Sequence, residues 1–472
     1  MYFSTVELNT TASQCVNSFL LLLIILKTGS VMLLRASLRQ PLCHFIWKRT
    51  KTTSSVNYIK ALVSEDCLEI EWNDGHKSRQ VDKLNVLLWL QFHNSWLRFS
   101  CQCEHCKQSH SGQRTIDTLS IPEPLEISDF SLSKNKENLE VKWENERDHQ
   151  GVLNLQWLRE NCYSEVARKL DNKRRKTQPH IGEHSLPEVE YSTIMESREG
   201  LWKVYPRPFN RMLSQLSDHG VSLVKNVPHD DEENVLKVGR LIGPIQETIY
   251  GKMFDVVSTP NPINIAYSSV GLSYHIDLAY YESPPGLQLL HCLRFDSDIE
   301  GGESLFLDAF YVAEEFRKQF PKEFDDLVRI PGTFQKIHFE RDYPVKLVYK
   351  RPHIVLSPDK EIVAVTWAPP FEGPLSVPEE DVEPYYRAYR LFSKMMEESP
   401  LQKSVRLHQG DLVCFNNRRI LHGRNSFNLN GGVRHFKGAY VNIDEFRNAF
   451  QVTSELVGSG EPCRRSGNHC FL

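Results

Sequence analysis

Long hydrophobic runs are scarce in this 472-residue chain. The run from Phe19 to Leu26 falls well short of the ~20 apolar residues a membrane-spanning helix needs. A surplus of positive charge is missing too. The net charge is −4, which implies no polyanionic partner and argues against nucleic acid or a membrane surface. Internal repeats and long low-complexity tracts are also absent. The eleven cysteines are odd in number and mostly scattered, which excludes the paired framework of a secreted disulfide scaffold and favours a reducing compartment. Acids are nearly missing from the start of the chain. Before Glu65 the only one is Glu7, against Lys27, Arg35, Arg39, Lys48, Arg49, Lys51 and Lys60. Basic, acid-poor sequence with scattered Arg, Ser and Thr after Met32 has the character of a mitochondrial transit peptide, and cytoplasmic residence is the alternative. Met32 would itself open a good amphipathic start, so residues 1–31 read as an optional extension.

What is present begins with one close group of thiols, Cys101-Gln102-Cys103-Glu104-His105-Cys106. Three sulfurs so near one another suit a structural, tetrahedral zinc once a histidine joins them. The residues leave three candidates open. His105 is squeezed between two thiols, His110 is feasible, and His149 follows the strand-like Leu139–Trp143, which could return beside the cluster. Short strands, such as Cys67–Gly75 and Leu139–Trp143, predict a small β-rich domain there, with Trp89, Trp96 and Trp157 as core. A polar, Lys- and Pro-rich stretch follows. Its basic run Lys173–Lys176 reads as a solvated connection.

The chemistry lies further on. In Tyr274-His275-Ile276-Asp277-Leu278 a strand would put His275 and Asp277 on one side, because alternate residues share a face. His422, in Leu421-His422-Gly423-Arg424, would complete two imidazoles and a carboxylate, the facial triad that holds Fe(II) and leaves positions open. A second His-x-Asp, His229-Asp230-Asp231, reads instead as a solvated helix start, since acids gather in the first turn. Around the triad lie a Pro284-Pro285-Gly286 turn into an apolar strand, a Gly301-Gly302 turn into another, and Gly410–Asn417 leading to His422. Arg434, twelve residues after His422, has the two-pronged fork that clamps a dicarboxylate. Helices are predicted over Asp230–Gly243 and Glu383–Glu397, the latter with Pro384 in its first turn and aromatics at core or dimer-face spacing.

These motifs carry a resemblance. The order His-x-Asp, strand, Gly-Gly-x-Ser, insertion, Leu-His-Gly-Arg, Arg resembles the Fe(II)/2-oxoglutarate-dependent dioxygenases of the taurine-dioxygenase type. Within them it is most similar to the gamma-butyrobetaine dioxygenase and trimethyllysine dioxygenase branch. The likeness runs from about residue 60 to about residue 455 and includes Glu247–Gly251 and Pro285–Cys292. It implies a mixed α+β fold: a double-stranded β-helix (jelly-roll) catalytic domain with flanking helices, plus the small zinc-binding N-terminal domain. The expected division is a targeting or disordered segment at 1–58, the zinc-binding domain at 59–170, a linker at 171–190, the dioxygenase domain at 191–456 and a disordered tail at 457–472.

The resemblance also implies roles. Fe(II) would be bound by His275, Asp277 and His422, with Ile276 standing where the family usually has Thr. The co-substrate 2-oxoglutarate would be held by Arg434 and Ser304, ascorbate would serve as reductant, and zinc would be bound by Cys101, Cys103, Cys106 and His149. Tyr250, Phe254, Tyr267 and Tyr440 fall where the branch builds a trimethylammonium cage, and Phe254 replaces its usual Trp. Asn264 matches the butyrobetaine side of the branch, where the trimethyllysine side carries Asp. The expectation is hydroxylation of gamma-butyrobetaine to L-carnitine by a homodimer. The alternatives are trimethyllysine or another betaine as substrate and, in a different class, a catalytically dead zinc-bearing scaffold.

Overall fold

Alternation along one strand sets the architecture of the catalytic part. Between Leu287 and Phe295, Leu287 and Leu289 sink into a core shared with helices, while Gln288 and Leu290 turn to the opposite face and line a cavity. The computed structural model describes residues 48–49, 58–63, 67–72, 90–135, 137–178, 185–195, 207–258 and 267–467. They fall into two units, Met1–Leu170 and Asp171–Leu472.

The first unit is built from short antiparallel strands. β1 (Lys48–Arg49), β2 (Tyr58–Val63), β3 (Cys67–Trp72) and β4 (Leu90–His93) form one sheet in that order, and β5 (Ile127–Leu132), β6 (Asn138–Trp143) and β7 (Gln150–Asn154) form another. Leu68, Ile70 and Phe92 from the first sheet meet Leu139, Val141 and Trp143 from the second in one buried core. Trp96 and Trp157 stack at its edge with ring centroids 5.5 Å apart. Trp89 lies outside the described residues.

In the second unit two sheets face each other. The larger contains β8 (Glu188–Glu190), β9 (Val221–Lys225), β10 (Phe254–Val257), β12 (Leu287–Phe295), β19 (Leu412–Asn416) and β21 (Arg434–Val441), in the order β10-β21-β12-β19-β9-β8. The smaller contains β11 (Leu272–His275), β13 (Ser304–Asp308), β18 (Lys403–Val405) and β20 (Ile420–Arg424), in the order β11-β20-β13-β18. Every strand of the larger sheet core obeys the same period of two. Leu412, Cys414, Ala439 and Val441 face the helices Arg207–His219, Asn234–Ile242 and Ile443–Val457, while Val413, Phe415 and Phe436 meet Phe306 and Ile420 between the sheets. The smaller sheet is backed by Leu307 and Leu421 against the helices Ala309–Gln319, Pro321–Arg329 and Glu379–Glu397. This is the jelly-roll that the sequence motifs imply, with its mouth between the sheets. The insertion between β13 and β18 adds the hairpin β14 (Pro331–His338) with β15 (Val345–Pro352) and the pair β16 (Ile354–Leu356) with β17 (Ile362–Val365).

Five expectations need correction. Residues 457–472 are not a disordered tail as far as Gly467: Cys463 and Ser466 are buried, Asn416 donates to Ser466 O at 2.9 Å, and Arg464 and Arg465 pair with Asp218 and Glu361. Polar side chains in that stretch find fixed partners, so its composition misleads. Within the 171–190 linker, Glu188–Glu190 is β8, an edge strand parallel to β9, because Val189 faces the core between two outward glutamates. The basic run beside it is not merely solvated, since Arg175 binds Asp171 and Arg174 binds Glu461. The aromatic helix starts at Glu379, which places Pro384 inside it; Glu379, Glu380 and Asp381 favour the extra turn by facing the positive end of the helix dipole. The helix expected from Asp230 begins only at Asn234, because the Asp231 carboxylate is engaged by the Glu233 amide and Lys237.

Candidate active site

His275 ends β11 and pairs directly with His422 on β20. So close a pairing depends on Gly423, where a Cβ would stand 2.5 Å from the Leu272 carbonyl oxygen. The two imidazole centroids are 4.3 Å apart. Nε2 of His275 lies 3.6 Å from one Asp277 oxygen and Nε2 of His422 lies 3.8 Å from the other. All three ligand atoms fall within 4.8 Å of one another. Ile276 points the other way, into the core, as its place in the alternation requires.

The surroundings orient these side chains. Nδ1–H of His275 donates to the Ser273 carbonyl at 2.8 Å, which turns the Nε2 lone pair toward Asp277. Asn417 holds the Asp277 backbone on both sides, accepting from its N–H at 2.8 Å and donating to its carbonyl at 3.1 Å. Tyr440 donates its hydroxyl to the Asp277 carboxylate at 2.6 Å. Burial opposes ionisation of Asp277, but His275, His422 and Tyr440 outweigh it and hold the carboxyl at about 2. Burial, and then the neighbouring His275, push His422 down to about 3. One carboxylate, the His422 imidazole that burial keeps neutral and the His275 imidazole beside it make the donor set of a divalent iron site with open positions.

The triad shares a cavity with buried cations. It is an open space of about 650 Å³ lined by Ser304, Arg424 and Arg434 at one end and by Tyr250, Phe254, Tyr267 and Tyr440 at another. Arg434 is packed among Phe295, Phe427 and Phe436, the last 4.3 Å from its guanidinium carbon. One of its Nη atoms donates to Gly302 O at 3.1 Å, and its buried Nε has no partner among the described residues. Gly302 is required there, since its φ is +80° and a Cβ would meet that Nε at 3.2 Å. Burial and the positive charge of Arg424 bring Arg434 down to about 9, and burial brings Arg424 down to about 10. Two buried guanidiniums facing one cavity fit an anionic ligand such as a dicarboxylate.

The aromatic end is tightly arranged. Phe254 stacks on Tyr440 at 4.9 Å, with Tyr250 at 6.2 Å from Phe254. Phe254 can lie flat only because its partner across the sheet is Gly438, where a Cβ would come within 2.2 Å of the ring. Asn264 lies outside the described residues. Sequence reasoning missed Gly438 and Asn417. Counting back by two from Tyr440 along β21 would have found Gly438, whereas Asn417 carries no such signal.

In the first unit the structure brings His149 to the thiols, while His105 and His110 remain exposed. Nε2 of His149 is 3.6, 3.5 and 3.3 Å from the sulfurs of Cys101, Cys103 and Cys106. Burial pushes Cys101 up to about 12, raises Cys106 and lowers His149. Without a cation these buried groups stay neutral, so a metal fits the set. Around it, Arg98 binds Glu146 at 2.5 Å and reaches the Cys106 sulfur at 3.5 Å, and Glu146 lies 3.7 Å from Nδ1 of His149.

Comparison with known proteins agrees with this geometry. Residues 201–440 match the family described as taurine catabolism dioxygenase TauD, TfdA, and residues 59–135 match the gamma-butyrobetaine hydroxylase-like N-terminal family. The chain is 30% identical to gamma-butyrobetaine dioxygenase of Pseudomonas sp. (strain AK-1) over 80% of its own length and 91% of that protein. It is 28% identical to the mitochondrial trimethyllysine dioxygenase of Bos taurus over 78% of its length and 83% of that protein. Among solved structures, a taurine dioxygenase from Burkholderia xenovorans aligns at a TM-score of 0.40 with 13% identity, covering 56% of this chain and 89% of that one. With the family match spanning half of the chain, this protein belongs to the TauD, TfdA family and is a 2-oxoglutarate-dependent dioxygenase.

Proposed function

We propose that this chain hydroxylates gamma-butyrobetaine to L-carnitine. The observation that carries the reading is the Phe254–Tyr440 stack at 4.9 Å, whose Tyr440 hydroxyl is bound to Asp277 at 2.6 Å. An ammonium with three methyl groups offers no N–H, so aromatic faces are what can hold it. A wall of such faces hydrogen-bonded to the metal triad would fix the cation within a short chain's reach of the iron.

In this reading His275, Asp277 and His422 hold Fe(II), and Arg434 with Ser304 hold the distal carboxylate of 2-oxoglutarate. Iron and the oxo acid together supply the oxidising chemistry, in which the oxo acid becomes succinate and carbon dioxide and one oxygen enters a substrate C–H bond. The chain's own part is to position and exclude. Tyr250, Phe254, Tyr267, Tyr440 and Asn264 set which substrate carbon faces the metal. Tyr440 steadies the carboxylate ligand, and the aromatic walls keep bulk water out. Phe254 offers the cation a weaker face than the tryptophan of the family pattern.

Trimethyllysine is the second reading, since similarity to the two named relatives supports both substrates alike. Ascorbate as reductant, a homodimer, and structural zinc at Cys101, Cys103, Cys106 and His149 complete the proposal. Mitochondrial residence is supported by the basic, acid-poor start of the chain and by relatives named as mitochondrial. No described helix is long and apolar enough to cross a membrane.

The test offers both substrates side by side to the iron-loaded chain with 2-oxoglutarate, with His275→Ala as blank, and reads products by mass. Gain of one oxygen on gamma-butyrobetaine is expected. Oxidation of trimethyllysine alone would reverse the choice.

A further inference from the structure

Gln288 puts an amide where its strand neighbours are apolar. It lies on β12 and lines the cavity beside Leu290, with only 2% of its surface exposed. Its partners across the sheet are Phe415 on β19 and Tyr440 on β21. Both of these reach the triad. Tyr440 donates to Asp277 at 2.6 Å, and the Phe415 ring centre lies 4.9 Å from that of His422. The amide is therefore set between two side chains that back the candidate iron ligands. Its Oε1 is buried and has no hydrogen-bond partner among the described residues. Burying an amide without a partner is unfavourable, and a leucine would fill similar room without that penalty. The group makes sense as one half of a contact that a ligand completes.

The other polar groups beside the triad are committed. Tyr440 gives its O–H to Asp277, and His275 gives Nδ1–H to the Ser273 carbonyl. Ser304, Arg424 and Arg434 form the cationic end of the cavity, which fits one carboxylate of a dicarboxylate. A 2-oxo diacid held there brings its second carboxylate to the metal. The oxygen of that group that is not a metal ligand needs a donor. An amide N–H is such a donor, and being neutral it adds no charge to repel either the metal or a cationic substrate. We propose that Gln288 is a binding group for 2-oxoglutarate, donating an N–H to the carboxylate at the metal end. The inference rests on the reading that His275, Asp277 and His422 hold Fe(II) and that Arg434 with Ser304 hold the distal carboxylate.

The test is anaerobic and uses the full iron-loaded chain as wild type, Gln288→Leu and Gln288→Glu, with thermal melts as the check on folding. Titration of 2-oxoglutarate is read by the visible charge-transfer absorption of iron with a chelating 2-oxo acid. Gln288→Leu is expected to raise the dissociation constant about tenfold. Gln288→Glu should raise it further, because a carboxylate at that place repels the ligand. Fe(II) affinity measured before 2-oxoglutarate is added should be the same in Gln288→Leu as in wild type. Unchanged 2-oxoglutarate affinity in Gln288→Leu would overturn the proposal. So would a fall in Fe(II) affinity without the oxo acid, which would make the amide a support for the metal ligands instead. If Gln288→Leu does not fold, Gln288→Met takes its place with the same expectations. If the wild type itself gives no such absorption, the reading of the centre fails and the inference falls with it.

Discussion

At the scale of single residues, Tyr440 joins two chemistries. Its ring is one wall of the aromatic group, and its hydroxyl is bound at 2.6 Å to the carboxylate of Asp277, a candidate iron ligand. Partners that orient a metal ligand commonly contribute ~10–100-fold to metal affinity. Tyr440→Phe keeps the ring and removes the donor, so iron affinity is expected to fall about tenfold, with little change in folding. Equilibrium titration of Fe(II) checks this, and unchanged affinity would mean that Asp277 is set by Asn417 alone. The same scale shows what a sequence reveals. His275, Asp277 and His422 were legible because ligand types at a strand's period are chemically unusual. Asn417 was not, because an amide that grips a neighbour's backbone across the sheet looks like any polar residue at a strand end.

Elements explain why so few residues needed specifying. Alternation along β12, β19 and β21 decides at once which side chains meet the helices and which face the cavity, and this pattern is visible in the apolar runs. Boundaries were less legible. The helix from Glu379 gains a turn through its acids although Pro384 then sits inside it, and β8 is too short to announce itself among polar neighbours. In the first unit, a turn between β6 and β7 delivers His149 to three sulfurs within 3.6 Å. From sequence, a squeezed His105 and a feasible His110 stayed open beside His149 as the fourth ligand, because only the return of the chain decides among them. If the group holds zinc, the purified protein should contain one zinc per chain by elemental analysis, distinct from iron. Cys106→Ser should remove the zinc and lower the melting temperature of the first unit by several degrees, since structural metal binding is folding energy. Zinc content unchanged in that variant would contradict the assignment.

For the whole molecule, the end of the chain matters more than its composition implied. Buried Asn416 and Arg418 bond to the carbonyls of Ser466 and Gly467, and Arg464 binds Asp218 at 2.9 Å. Asn416 lies on β19 and Arg418 just past it, so the tail braces the turn that leads into β20, the strand of His422. Ending the chain after Val457 would strand buried donors at a cost of ~1–3 kcal/mol each. The truncated protein is expected to melt several degrees lower in a thermal scan, and an unchanged melt would contradict this role. The N-terminal expectations, including the 1–58 targeting segment, fall largely outside the described residues.

The central claim is that one dioxygen molecule is divided between 2-oxoglutarate and a trimethylammonium substrate held at the His275, Asp277 and His422 centre. Turnover of gamma-butyrobetaine under heavy-oxygen gas tests it most directly. One labelled atom in succinate and one in the hydroxylated product are predicted, with neither label in His275→Ala. Labelled succinate beside an unaltered betaine would contradict the assignment of substrate, and unlabelled succinate would contradict the chemistry itself.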